Sequence, residues 1–166
     1  MRTHPAALDE RTLLGECEYR TGRGSGPGGQ HRNKVETAVV WLHEPTGLTG
    51  EATERRSQAQ NRAAALYRLR MNLAIEIRAV PANAPSSLWR SRCRGGRIAG
   101  NPQHDDFPAL LAEALDHLAA VAWEPGAAAA VLGITSSQLV KLLKKAPKAL
   151  TTVNRRRGEL GKRRLK

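Results

Sequence analysis

No regular element can run through the stretch from Arg23 to Lys34. Gly24, Gly26, Gly28 and Gly29 fall within it, broken by Pro27. Glycine raises the entropic cost of a fixed backbone, and proline fixes φ and removes an N–H donor. The stretch therefore has to be a loop between two other elements. Both flanks are strand-like. Glu16 to Arg20 would place Cys17 and Tyr19 on one face, and Thr37 to His43 sets Ala38, Val40 and Leu42 against Val39, Trp41 and His43. Pro45-Thr46-Gly47 is a turn signal, after which Leu48 to Thr53 reads as an antiparallel return strand. The expected product is a small sheet with the glycine-rich loop at its edge.

A long helix should follow. Ser57 is its candidate N-cap, with Gln60 completing a capping box. Leu66, Leu69, Leu73 and Ile77 form the stripe expected to pack on the sheet, and Val80-Pro81 is the stop. A short helix is also expected over residues 6 to 14. Pro81 to Ser87 reads as a linker, and Pro108 opens a helix reaching about Val121, with Leu111, Leu115 and Leu118 on one face. Residues 127 to 139 then offer a short helix, a glycine turn at Gly133 and a second helix capped by Thr135 or Ser136. Ala129, Gly133 and Leu139 have helix-turn-helix-like spacing, although ordinary helical-hairpin packing is the simpler expectation. The fold class is α+β: a small antiparallel sheet with a long helix on one face, then an all-helical C-terminal region and a basic tail. The expected domains are 1–80 around the loop, 81–108 as linker and basic irregular segment, 109–157 as the helical region and 158–166 as the tail.

Charge narrows the partners. Lys and Arg number 27 against 15 Asp and Glu, a formal charge of +12. That excess suits a polyanion. No stretch approaches the roughly 20 apolar residues of a spanning helix, so nucleic acid is expected rather than membrane. Aromatic residues are 4% of the chain, which favours phosphate contacts over serial base stacking. Met1 to Glu10 has no apolar leader core, and Cys17 and Cys93 make no disulfide framework. A reducing, cytoplasmic location and a monomer are expected. No cluster of His, Cys or carboxylates has metal-ligand spacing, so neither metal nor cofactor is expected. No nucleophilic triad can be nominated, and Cys17 sits in a strand without visible activation.

Ser25-Gly26-Pro27-Gly28-Gly29-Gln30-His31, then Asn33-Lys34, closely resembles the peptidyl-tRNA hydrolysis loop of class I peptide chain release factors. The resemblance continues through Pro45-Thr46-Gly47, Glu54-Arg55, Arg56-Ser57-Gln58, Asn61-Arg62 and Ala65, and covers about residues 16 to 79. Arg32 departs from it, standing where a small apolar residue is usual. Nothing in the 166 residues resembles the family's separate codon-reading domain, which points to the small, codon-independent, ribosome-rescue type.

The loop's chemistry is unusual for a hydrolase. Between Gly24 and Gln30 there is no Asp, Glu, Cys or Lys, so a general base is missing there. What remains is backbone N–H groups and one amide, an inventory suited to holding a developing oxyanion. One well-placed donor of that kind contributes about 3 kcal/mol. The resemblance implies that Gly28, Gly29 and Gln30 are the catalytic residues. The Gln30 backbone N–H would stabilise the transition state, its side chain would orient water, and the large-subunit rRNA and the peptidyl-tRNA ribose would supply the rest. It also implies that Gln30 is a substrate for a glutamine methyltransferase. Arg23, Ser25, Pro27, His31, Asn33 and Lys34 are candidates for loop support and RNA contact, as are Arg55 and Arg62 on or near the long helix. His31 reads as a polar residue at the loop base rather than as the base catalyst. Lys141, Lys144, Lys145, Arg155, Arg156, Arg157, Lys162, Arg163, Arg164 and Lys166 are the C-terminal RNA-binding candidates. In small rescue members such a tail lies in the mRNA channel. Two alternatives stand beside hydrolysis: a non-catalytic rRNA- or tRNA-binding protein, and a helix-turn-helix DNA-binding protein.

Overall fold

The computed structural model describes residues 3–22 and 37–166. They divide into two compact units, Leu8–Leu73 and Met1–Ala7 with Ala74–Lys166. The first unit opens with helix α1 (Glu10–Gly15), capped by Asp9, whose carboxylate accepts from the Thr12 N–H at 3.0 Å. Three strands follow, β1 (Cys17–Gly22), β2 (Ala38–His43) and β3 (Leu48–Ala52), in the antiparallel order β1-β2-β3. Tyr19 faces Trp41 across β1 and β2, and Trp41 faces Gly50 across β2 and β3. On β2, Val39, Trp41 and His43 are buried with Val40 and Leu42 half-buried between them, so the anticipated alternation holds from Val39 onward, while Ala38 at the strand's start is buried too.

Helix α2 (Gln58–Glu76) lies directly on this sheet. A Cβ built on Gly50 would stand 2.1 Å from the Ala65 carbonyl oxygen and 2.3 Å from the Leu69 nitrogen. Helix backbone and strand backbone are therefore as close as glycine allows. That approach selects the buried row of α2, which is Asn61, Ala65, Leu69 and Leu73 at intervals of four. The anticipated stripe is displaced: Leu66 is half-buried and Ile77 falls past the helix end. The small Ala65 fits over Gly50, where a leucine would hold the helix away. Burying Leu69 and Leu73 contributes about 2 kcal/mol each. Ser57 caps the helix as expected, accepting from the Gln60 N–H at 3.4 Å. The helix stops before Val80-Pro81 because the Arg78 guanidinium donates to the Ala74 carbonyl, while the Ala79 N–H donates to Asp116 at 3.0 Å.

The second unit is mainly helical. Helix α3 (Ser87–Arg92) and a minimal hairpin, β4 (Cys93–Arg94) and β5 (Arg97–Ile98), occupy a segment expected to be irregular. Gly95 and Gly96 adopt φ of +54° and +70°, the pair of positive values that a two-residue hairpin turn needs. Helix α4 (Phe107–Ala120) is central, burying Phe107, Leu110, Leu111, Leu115 and Leu118. Against it pack α5 (Pro125–Leu132) and α6 (Ser136–Lys144), and α7 (Pro147–Glu159) packs on α6. Trp89 is fully buried, and its indole N–H donates to the Leu132 carbonyl at 2.8 Å. Asp116 of α4 meets Arg78 at 3.1 Å. Burial pushes its carboxyl up to about 6 against the pull of the Ala79 N–H and Arg78, so the pair is still ionised at neutral pH. The α+β class expected from sequence is the one observed. No helix among the described residues is by itself long and apolar enough to cross a membrane.

Replacing Gly50 by Ala is expected to destabilise the chain by about 3 kcal/mol, since the two nearest atoms that the new methyl meets are backbone. Gly158→Ala, on α7 with open space around it, is expected to be neutral or stabilising by about 0.5 kcal/mol. Urea unfolding of the two variants against the parent measures the contrast.

Candidate functional site

The sheet presents the loop through one pair of residues. Gly22, the last residue of β1, is opposite Ala38, the first of β2. The chain that joins them contains Arg23, Ser25, Pro27, Gly28, Gly29, Gln30, His31, Asn33 and Lys34, which lie outside the described residues. The base on which that chain stands is described, and Asn61 organises it. This side chain is fully buried on α2. Its amide N–H groups donate to the Thr37 carbonyl at 2.6 Å and to the Arg55 carbonyl at 2.9 Å, and its oxygen accepts from the Arg55 N–H at 3.0 Å. One amide thus ties the residue before β2, the turn carrying Arg55, and the helix into a single joint. A buried amide with every group satisfied also resists displacement, because each broken bond would leave a desolvated partner.

The turn between β3 and α2 is held from its other side. The Glu54 carboxylate pairs with Arg68 of α2 at 2.5 Å, and Arg68 also donates to the Glu51 carbonyl. The hydrogen bond from Arg68, aided by the backbone N–H groups of Glu54 and Thr53, holds the Glu54 carboxyl down at about 2. Arg55, between these two anchors, is exposed. Arg62, next to Asn61 on α2, is exposed too, and its guanidinium lies 5.8 Å from the Tyr19 ring centre and 5.5 Å from that of Trp41. The two rings are 4.7 Å apart, and the Trp41 indole N–H donates to the Arg62 carbonyl at 3.4 Å. Stacking on aromatic faces costs Arg62 little of its donor capacity and orients it. Arg62 is therefore a cation oriented by two rings, and Arg55 an exposed cation on backbone that Asn61 holds.

Other reactive side chains of this unit are occupied. Burial, reinforced by Glu16 and Glu44, pushes the Cys17 thiol up to about 11, which leaves it protonated at neutral pH. His43 is buried between Thr46 Oγ1 at 2.7 Å and Glu16 Oε2 at 3.0 Å. Among the described residues no group of His, Cys, Asp and Glu is arranged to hold a metal ion.

The C-terminal candidates separate into two sets. Lys141, Lys144, Arg155, Arg156, Arg163, Arg164 and Lys166 are exposed. Arg155 and Arg156 share Glu159, at 2.9 and 3.2 Å. Lys145 is exposed, but its ammonium donates to the Gly100 carbonyl. Arg157 corrects the expectation outright. It is buried, donating to the Trp123 and Arg163 carbonyls, and so serves the fold rather than a surface. The tail is likewise strapped down. Leu165 exchanges two hydrogen bonds with the Asn154 amide, and Lys162 pairs with Glu124 at 2.7 Å. The left-handed Gly161 (φ +69°) turns the chain back for this.

Asn61 and Glu54 stand out in the sequence only as part of the family resemblance and Arg68 only as a helix-surface arginine, so the structural roles of all three come from the fold. A usable signal existed for the first, a polar residue four positions ahead of Ala65 on the row that continues to Leu69 and Leu73.

The RF-1 domain matches residues 13–96, which takes in β1, β2, β3, α2 and the connecting loop. Peptide chain release factor 1 of Acidiphilium cryptum (strain JF-5) is 44% identical over 106 residues, 63% of this chain and 30% of that protein. Peptide chain release factor 2 of Paramagnetospirillum magneticum (strain ATCC 700264 / AMB-1) is 50% identical over 66 residues, 40% of this chain and 18% of that protein. The chain thus spans less than a third of the length of these curated relatives.

Asn61→Ala is expected to cost about 3 kcal/mol in urea unfolding and to speed amide exchange at Arg55. Arg68→Gln is expected to raise the Glu54 carboxyl from about 2 toward its ordinary range, short of a full return because the Glu54 and Thr53 N–H groups remain, read by carboxyl NMR titration. A depressed carboxylate supports the fold above its unfolded value and loses that support as pH falls toward 2. Both side chains are largely exposed, so the accompanying stability change should stay below about 1 kcal/mol.

Proposed function

The chain belongs to the RF-1 domain family of class I peptide chain release factors, and we propose that it hydrolyses the ester of peptidyl-tRNA inside the ribosome without reading a stop codon, so releasing stalled chains. One observation carries this reading. Gly28-Gly29-Gln30 falls between strands joined at Gly22 and Ala38, on a base locked by Asn61, and the whole assembly lies within residues 13–96. In this reading Gly28 and Gly29 permit the backbone to approach the ester. The Gln30 N–H holds the developing oxyanion, and its side chain positions the attacking water. The departing ribose oxygen takes a proton from its RNA surroundings. Arg55 and Arg62, set on the joint, address rRNA phosphates.

Independence from the codon fits the chemistry outside the matched stretch. Exposed lysines and arginines from Lys141 onward contact phosphate rather than base edges, and phosphates carry no codon information. The partners in this reading are large-subunit rRNA and peptidyl-tRNA. Gln30 is also the residue that a glutamine methyltransferase would modify, detectable as a 14-dalton increment (roughly one CH₂) by mass spectrometry of the native protein.

Peptide release from stalled ribosomes tests the proposal. The parent chain should release peptide equally with a sense codon, a stop codon or an empty A site. Gln30→Ala and Gly29→Ala should each lower the rate by about 100-fold or more. Release that requires a stop codon would overturn the codon-independent reading. Equal rates from parent and both variants would overturn the hydrolytic one.

A further inference from the structure

Residues 97–166 lie outside the family match, and part of them is unusually one-sided in charge. From Pro125 to Gly158 there is no Asp or Glu, while Lys141, Lys144, Lys145, Lys148, Arg155, Arg156 and Arg157 all fall there. Helices α5 and α6 within it meet at 99° around Gly133, whose φ is +66°. The Thr135 hydroxyl caps α6, accepting from the Gln138 N–H at 3.2 Å. Leu139, Leu142 and Leu143 bury one side of α6, leaving Ser136, Ser137, Lys141 and Lys144 exposed on the other.

A helix pair of this shape is often used to read DNA, with the second helix in the major groove. The side chains argue for a different partner. Base edges are read most specifically by the planar groups of Arg, Asn and Gln, although Lys, Ser and Thr also reach them. The exposed side of α6 carries no Arg or Asn, and Gln138 is half-buried. Its lysines are point charges, which suit phosphate and the sequence-independent binding that phosphate contacts supply.

These lysines are also uncommitted. Among the described residues of this unit, the ion-paired carboxylates are held by other cations: Asp116 by Arg78, Asp106 by Arg92, Glu159 by Arg155 and Arg156, and Glu124 by Lys162. The tail does not cover them as a free arm would, because Asn154, Arg157 and Glu124 hold it to α7 and the turn before α5.

We infer that the exposed side of α6, with Lys141 and Lys144 extended by Lys148 in the first turn of α7, is a docking surface for the phosphate backbone of RNA. It anchors the chain to ribosomal RNA independently of the Gly-Gly-Gln loop. The inference rests on the ribosomal reading above and moves the C-terminal anchor from the tail to a folded helix.

The test is co-sedimentation of the full chain with ribosomes across a series of potassium chloride concentrations. The Lys141→Ala/Lys144→Ala/Lys148→Ala variant should bind about tenfold or more weakly near 0.15 M salt. Its slope of log affinity against log salt should fall by about 2 to 3, close to 0.7–0.9 for each phosphate that the variant leaves unneutralised. Arg90→Ala/Arg94→Ala/Arg97→Ala removes the same charge from exposed positions in the same unit and should change affinity and slope much less. The triple lysine-to-arginine variant should restore binding. Equal losses in the two alanine variants, or no loss in the first, would overturn the docking surface. So would tighter lysine-dependent binding to a DNA duplex than to ribosomes. Lysine-dependent binding by a parent chain that releases no peptide would strike the hydrolytic reading alone and leave the anchor standing.

Discussion

The close approach of α2 to Gly50 governs the loop-bearing unit. Because the Ala65 carbonyl and the Leu69 nitrogen would lie within 2.3 Å of any added Cβ, the helix has one height above the sheet and one rotational setting. That setting turns Asn61 inward, within reach of Thr37 and Arg55. It also leaves Arg62 outward, over Tyr19 and Trp41. The position of the loop's base therefore follows from a packing constraint on a neighbouring strand. A glycine in the middle of β3 weakens a strand by itself, and here the cost is offset by the apolar row it allows to close.

Such a base suits a reaction run by backbone donors. A side-chain catalyst can tolerate some motion of its backbone, since rotamers adjust. A backbone N–H can be aimed only by fixing the chain on both sides of it. Pairing at Gly22 and Ala38, and the amide clamp at Thr37, fix the two ends of the connection that carries Gln30. Electrostatic catalysis depends on donors being placed before the charge develops, and rigid supporting elements would serve the proposed reaction in that way.

Much of this is readable from the residues alone. Period-two alternation places β2, and the turn at Pro45-Thr46-Gly47 places β3, because one face of the sheet must be apolar. Ser57 and Thr135 are legible as caps for a local reason, an oxygen within reach of orphan N–H groups. The buried row of α2 is misplaced by the pattern because leucines advertise burial more loudly than Ala65, whereas a close approach needs small residues. The β4–β5 hairpin is hidden by its brevity, with Gly95-Gly96 as its only mark. Nothing local shows that Arg157 is interior, since its partners are the carbonyls of Trp123 and Arg163 and its setting is created by tertiary folding. A run of three arginines looks like surface until one of them finds a buried acceptor.

We propose that the Gly28-Gly29-Gln30 backbone is set beside the peptidyl-tRNA ester within the ribosome and acts there without a general base. A cryo-EM structure of the chain on a stalled ribosome holding intact peptidyl-tRNA, prepared with Gln30→Ala to slow turnover, tests this most directly. The account predicts the residue 30 N–H within about 3 Å of the ester carbonyl oxygen, the range of a working donor. A bound chain with residue 30 remote from the ester would contradict it.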